Sequence, residues 1–142
     1  MNQLLSEKIK ISVAITVAEG VAAATDLEGA IIDMAGYDSV LMIARLGTIT
    51  AGAVTGLTAE VGDALNLSDK ATATGSALVV AEADSDKYFA VDLGKITKRY
   101  ARLHVDRATQ NAVIEHALYL QYNAKDFPDG LGFEDVAKVA TA

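Results

Sequence analysis

Between Tyr100 and Asp106 the chain changes character at every residue, with Ala101, Leu103 and Val105 on one side and Tyr100, Arg102, His104 and Asp106 on the other. Successive side chains of a strand point to opposite faces, so a period of two marks a strand with one face in a core. The same period recurs where Ile9, Ile11, Val13, Ile15 and Val17 interleave with Lys8, Lys10, Ser12, Ala14 and Thr16, which predicts a half-buried N-terminal strand with the branched set inward. It recurs again in Phe89, Val91 and Leu93, and in Val113–Tyr122, where Ile114, Leu118, Leu120 and Tyr122 form an apolar side that His116 shares.

Other segments fit the same architecture. Val40–Leu46 is almost continuously apolar and bounded by Gly36 and Gly47, which predicts a central strand apolar on both faces. The stretch carrying Ala53, Thr55, Leu57, Ala59 and Val61 reads as its hairpin partner. Residues 63–75 read as a surface loop. Two further hairpins are predicted, one across Asp84–Lys87 and one across Ala108–Asn111. Short strands between Gly, Asn, Asp and Ser turns, without long helices, predict a mostly β chain: an antiparallel β-sandwich or jelly roll over residues 1–124. Residues 125–142, with the single proline Pro128, read as an irregular or short-helical C-terminal tail or arm.

Composition narrows function. The 142 residues include no cysteine, which removes disulfides, thiolate metal sites and cysteine nucleophiles and suits a reducing cytoplasm. A net charge of −7 opposes nucleic acid and anionic lipid as partners. The apolar runs fall short of the roughly 20 residues a membrane helix needs, so no membrane is expected. Glu7 and Glu19 flank the N-terminal apolar segment and argue against a secretory signal.

No catalytic set stands out. There is no Gly-x-Ser-x-Gly elbow for a nucleophile, and His104 and His116, the two imidazoles, lie on opposite kinds of strand face. A metal needs at least three converging groups, so both histidines read as structural. Glu82, Asp84 and Asp86 lack the glycine and following ligands of a calcium loop, and Gly130-Leu131-Gly132 lacks the third glycine of a phosphate loop. The expectation is a protein that binds another protein, with no catalytic residue, cofactor or metal. Lys95, Lys98, Arg99, Arg102 and Arg107 gather in one stretch of an acidic chain, and Lys98, Tyr100, Arg102 and His104 are the candidate contacts on its polar face. Leu4 and Leu5 at one end, with Phe127, Leu131 and Phe133 at the other, are candidate contacts in apolar arms.

Gly36-Tyr37-Asp38-Ser39, Gly47-Thr48-Ile49-Thr50 and Lys98-Arg99-Tyr100-Ala101-Arg102 occur in an order that resembles a family of small tailed-bacteriophage virion proteins, often encoded near the major capsid gene. The resemblance runs from about Ile31 to Tyr122 and departs from the family between Thr58 and Gly75. It implies a β-sandwich made in the host cytoplasm and located on the capsid surface, a decoration or cement protein that stabilises the shell. Its partners would be the major capsid protein and copies of itself, for example as a trimer. The alternative is a neck or tail connector of the virion. A carbohydrate-binding attachment module is a more distant reading, because tryptophan is absent and the five tyrosines are scattered.

Overall fold

The computed structural model describes residues 4–124 and residue 137. Ten strands follow one another: β1 (Lys10–Ile15), β2 (Leu27–Glu28), β3 (Ile32–Asp33), β4 (Tyr37–Ile49), β5 (Val54–Gly62), β6 (Ala71–Thr72), β7 (Leu78–Val80), β8 (Tyr88–Leu93), β9 (Tyr100–Ala108) and β10 (Ala112–Ala124). Two single 3-10 turns, Leu5–Glu7 and Glu82–Asp84, are the helical elements among the described residues. None of the described residues forms a helix long and apolar enough to cross a membrane.

The strands form two antiparallel sheets, which makes the chain the expected β-sandwich. Sheet A has the order β1-β10-β4-β8; sheet B has β2-β9-β5-β6, with β3 also on β9 and β7 also on β5. The core lies between them. Val40, Met42, Ala44, Leu46, Ile114, Ala117 and Tyr119 face it from sheet A, and Leu57, Ala59, Val80, Ala101, Leu103 and Val105 from sheet B.

None of the three predicted hairpins forms. β5 pairs with β9 rather than β4, β7 pairs with β5 while β8 pairs with β4, and β9 and β10 belong to different sheets. Each connection instead crosses from one sheet to the other. For β4 and β9 the reason is edge availability, since both have partners on both edges. β9 carries β5 on one edge and β2 and β3 on the other, so β10 has nowhere to add there. The Asp84–Lys87 segment spends its hydrogen bonds on the end of β4: Leu46 N–H donates to the Lys87 carbonyl (2.9 Å), Asp86 N–H to that of Gly47 (3.1 Å), and Ile49 N–H to Ser85 Oγ (3.0 Å).

A second correction concerns faces. In β1, Ser12 lies opposite the buried Tyr119, whereas Ile11 and Val13 lie opposite Leu120 and Leu118 on the outside. A bulge between Val13 and Ile15 then turns Ile15 into the core. In β10, register shifts on both sides of Ile114 keep that residue inward and put Ala117, Tyr119 and Gln121 inward after it. The branched sets that alternation assigned to the core therefore face outward along most of β1 and β10. A one-residue slip is enough to reverse a strand's faces.

Tyr119 explains why a polar residue takes the inner position. Its hydroxyl accepts from Leu103 N–H (2.8 Å) and donates to the Ala30 carbonyl (2.7 Å), tying sheet A to sheet B through the core. Burial pushes the phenol pKa far above its ordinary value, so the donor stays protonated. The chain passes so close here that a Cβ on Gly29 would lie 2.7 Å from the same oxygen. Only glycine fits at that position without moving the tyrosine.

Candidate binding face

The inverted strands leave sheet A with an apolar outer surface. Register places Ile11, Leu120 and Leu41 in one row across β1, β10 and β4, and Val13, Leu118 and Ile43 in the next. These side chains shelter one another yet remain open to solvent, with Val13 45% exposed. Arg45 and His116 form the row beyond. There the Arg45 guanidinium sits 5.1 Å over the Tyr88 ring and 3.2 Å from Glu115. At the other end Leu5, Lys8, Ile9, Leu41, Leu120 and Tyr122 line a trough of about 330 Å³, whose rim is fixed by a 2.5 Å hydrogen bond from the Tyr122 hydroxyl to Asp92. A contiguous apolar sheet face rimmed by polar groups is the usual form of a protein interaction site.

The outer surface of sheet B has the opposite character. Arg102 on β9 and Glu60 on β5 lie side by side in register, both over nine-tenths buried, with Arg102 Nε 2.7 Å from Glu60 Oε1. Arg102 also donates to Glu28 (3.0 Å), and Lys70 Nζ approaches Glu60 (3.4 Å) and Glu28 (3.8 Å). Burial pushes the Glu60 carboxyl up. The Arg102 hydrogen bond and the charges of Arg102, His104 and Lys70 outweigh it and hold the group below the usual carboxylate range. At the start of β9, Arg99 clamps Asp33 through two bonds of 3.3 and 3.1 Å, which keeps that carboxyl low as well.

No family model matches the chain, and no curated protein matches it in sequence. Among solved structures it is similar to the PBSX exported protein XepA, at 18% identity with a TM-score of 0.53, over all of this chain and 46% of that one. It is also similar to a chain of infectious bursal disease virus, Gt strain, at 14% identity with a TM-score of 0.50, over 87% of this chain and 34% of that one. The likeness is one of fold. The chain spans less than half the length of either protein.

The residues singled out from sequence are dispersed. Tyr100 and Arg102 are buried, not displayed, which corrects the expected exposed face of β9: Arg102 is held by Glu28 and Glu60, which Lys70 approaches in turn, while Asp106 stays exposed. Arg107 leaves the basic patch too. Its guanidinium turns inward and donates to the carbonyls of Thr25, Val21 and Ala112, capping the loop between β1 and β2. Lys98 stays half-exposed, 3.1 Å from Asp63. His104 is largely buried within the same charged cluster. Leu5 is 68% exposed at the trough, and Leu4 is half-buried with its N–H bonded to Glu7. Phe127, Leu131 and Phe133 lie outside the described residues. Ile11, Val13, Leu41, Ile43, Leu118 and Leu120 were missed as a surface. Their signal lies in Val40–Leu46, a central strand apolar on both faces of which only one face is needed by the core.

Proposed function

We propose that this chain is a non-enzymatic structural component of a tailed-phage virion that docks on the outside of the capsid and reinforces the shell. The observation that carries the reading is the apolar outer face of sheet A, built from rows of Ile, Val and Leu across three strands. Among the described residues the core is filled from the inner faces of the two sheets, and this outer face takes no part in it. The fold likeness to the PBSX exported protein XepA and to a chain of infectious bursal disease virus supports a virion setting, as does the motif order at Gly36, Gly47 and Lys98. The partner is the major capsid protein, and repeated docking on a symmetric lattice turns modest single-site affinity into stable attachment.

The test has two arms. Copy number in purified virions should approach that of the capsid protein; a handful of copies per particle would transfer the chain to the neck or tail. Binding of purified protein to undecorated capsids should fall at least tenfold on Leu118→Glu or Ile43→Glu, both outward on sheet A. Unchanged binding by both variants would remove this face from the reading.

A further inference from the structure

On the other sheet, the geometry points to a divalent transition-metal site, of the kind that takes zinc, formed by Asp26, His104 and Asp106. His104 and Asp106 are two apart on β9 and so share its outer face. Asp26 directly precedes β2, whose Leu27 pairs with Val105 and Glu28 with His104; continuing that register sets Asp26 across from Asp106. Two carboxylates opposite each other on neighbouring strands repel. Among the described residues neither forms a salt bridge to a lysine or arginine; the partner that both share is the His104 ring.

The three groups converge on the Nε2 edge of that ring. Nε2 lies 2.9 Å from Asp106 Oδ1 and 3.6 Å from Asp26 Oδ2, and the three ligand atoms all fall within 4.8 Å of one another. Nitrogen and oxygen ligands at zinc's bond lengths in a tetrahedron sit about 3.3 Å apart, between those two spacings. Small side-chain rotations therefore suffice to surround an ion. Asp26 and Asp106 are exposed, which leaves a path for the ion and room for a water in the remaining position.

A separate observation on the far edge of the ring supports the same assignment. His104 Nδ1 is fully buried and has no hydrogen-bond partner, yet it faces Glu60 Oε1 at 3.7 Å and Glu28 Oε1 at 4.0 Å. Ligation through Nε2 places the ring proton on Nδ1, where these carboxylates are ready to accept it. A carboxylate behind a ligating histidine is the common way of fixing its tautomer and orientation. Glu28 and Glu60 also group with His104, but Arg102 and Lys70 already neutralise them, so they back the site and do not ligate. His116, the other imidazole of the sequence, lies on β10 in the other sheet and takes no part. The convergence comes from the loop before β2 instead.

The experiment is a calorimetric titration of the full-length protein with zinc chloride, repeated with cobalt to read visible d–d absorption. Saturable binding of one ion per chain is expected, with Asp26→Asn and Asp106→Asn each weakening it at least tenfold. His104→Gln should abolish it, and His116→Gln should leave it unchanged. Both aspartates are exposed, so their variants fold even if the His104 variant does not. Absence of saturable one-to-one binding, or binding that survives the Asp26→Asn/Asp106→Asn double variant, overturns the site.

Discussion

At the scale of single residues, the molecule places costly groups where a partner is already fixed. Arg102 and Glu60 form a buried pair, and removing one member leaves the other charge buried alone. Arg102→Met should therefore cost ~3–5 kcal/mol of stability by urea unfolding, whereas the Arg102→Met/Glu60→Leu double variant should recover most of it. Equal losses in the single and double variants would show that the pair is not what stabilises this surface. Tyr119→Phe should cost ~1–3 kcal/mol, because it strands Leu103 N–H inside the sandwich and removes the donor from the part-buried Ala30 carbonyl. Neither arrangement was legible in the sequence. Arg102 and Tyr100 read as surface residues because a polar side chain on the outer position of a strand ordinarily meets solvent. What holds Arg102 down is a pair of carboxylates from strands far away in the chain, at Glu28 and Glu60. His104 was noticed, but Asp26 carries no local sign of its position opposite Asp106.

At the scale of strands, most elements were legible and their neighbours were not. Alternation locates β1, β8, β9 and β10, and continuous apolarity locates β4, because both patterns are local. Pairing is not local. The turns at Asp84–Lys87 and Ala108–Asn111 have the composition of hairpin turns, yet both carry the chain between sheets: both edges of β9 are occupied, and the Asp84–Lys87 segment is hydrogen-bonded to the end of β4. Face assignment failed in β1 and β10 for a related reason. A bulge changes the phase of alternation without changing composition, and the apolar set it turned outward suits a partner surface as well as it suits a core. This yields a paired prediction within one strand. Ile43→Glu, on the outer face of β4, should alter stability by about 1 kcal/mol or less, whereas Met42→Glu, its inward neighbour, should prevent folding. Circular dichroism and thermal melts of the two variants separate the faces directly; similar behaviour would contradict the burial pattern.

At the scale of the whole molecule, the two sheets divide the work: sheet A presents apolar rows and sheet B a charged network. Acid should act mainly through the second. The Glu60 and Asp33 carboxyls sit below their ordinary values of 4.5 and 3.8 in the folded chain. A lowered carboxylate contributes stability above its unfolded pKa and loses it as pH falls through the folded one. Melting temperature should hold from neutral pH down to about 5 and then drop as these groups protonate, with Glu60→Gln flattening part of that drop. The order of strands in sheet A carries one more consequence, which concerns synthesis. β10 lies between β1 and β4, so β1 has no partner in its sheet until nearly all of the described chain has been made. A nascent chain halted before Ala112 holds β4 and β8 but not the strand that joins β1 to them. Folding of this sheet therefore waits for β10 to emerge from the ribosome, and until then Leu41 and Ile43 on β4 stay bare beside the unfinished core, within reach of chaperones and of other nascent copies.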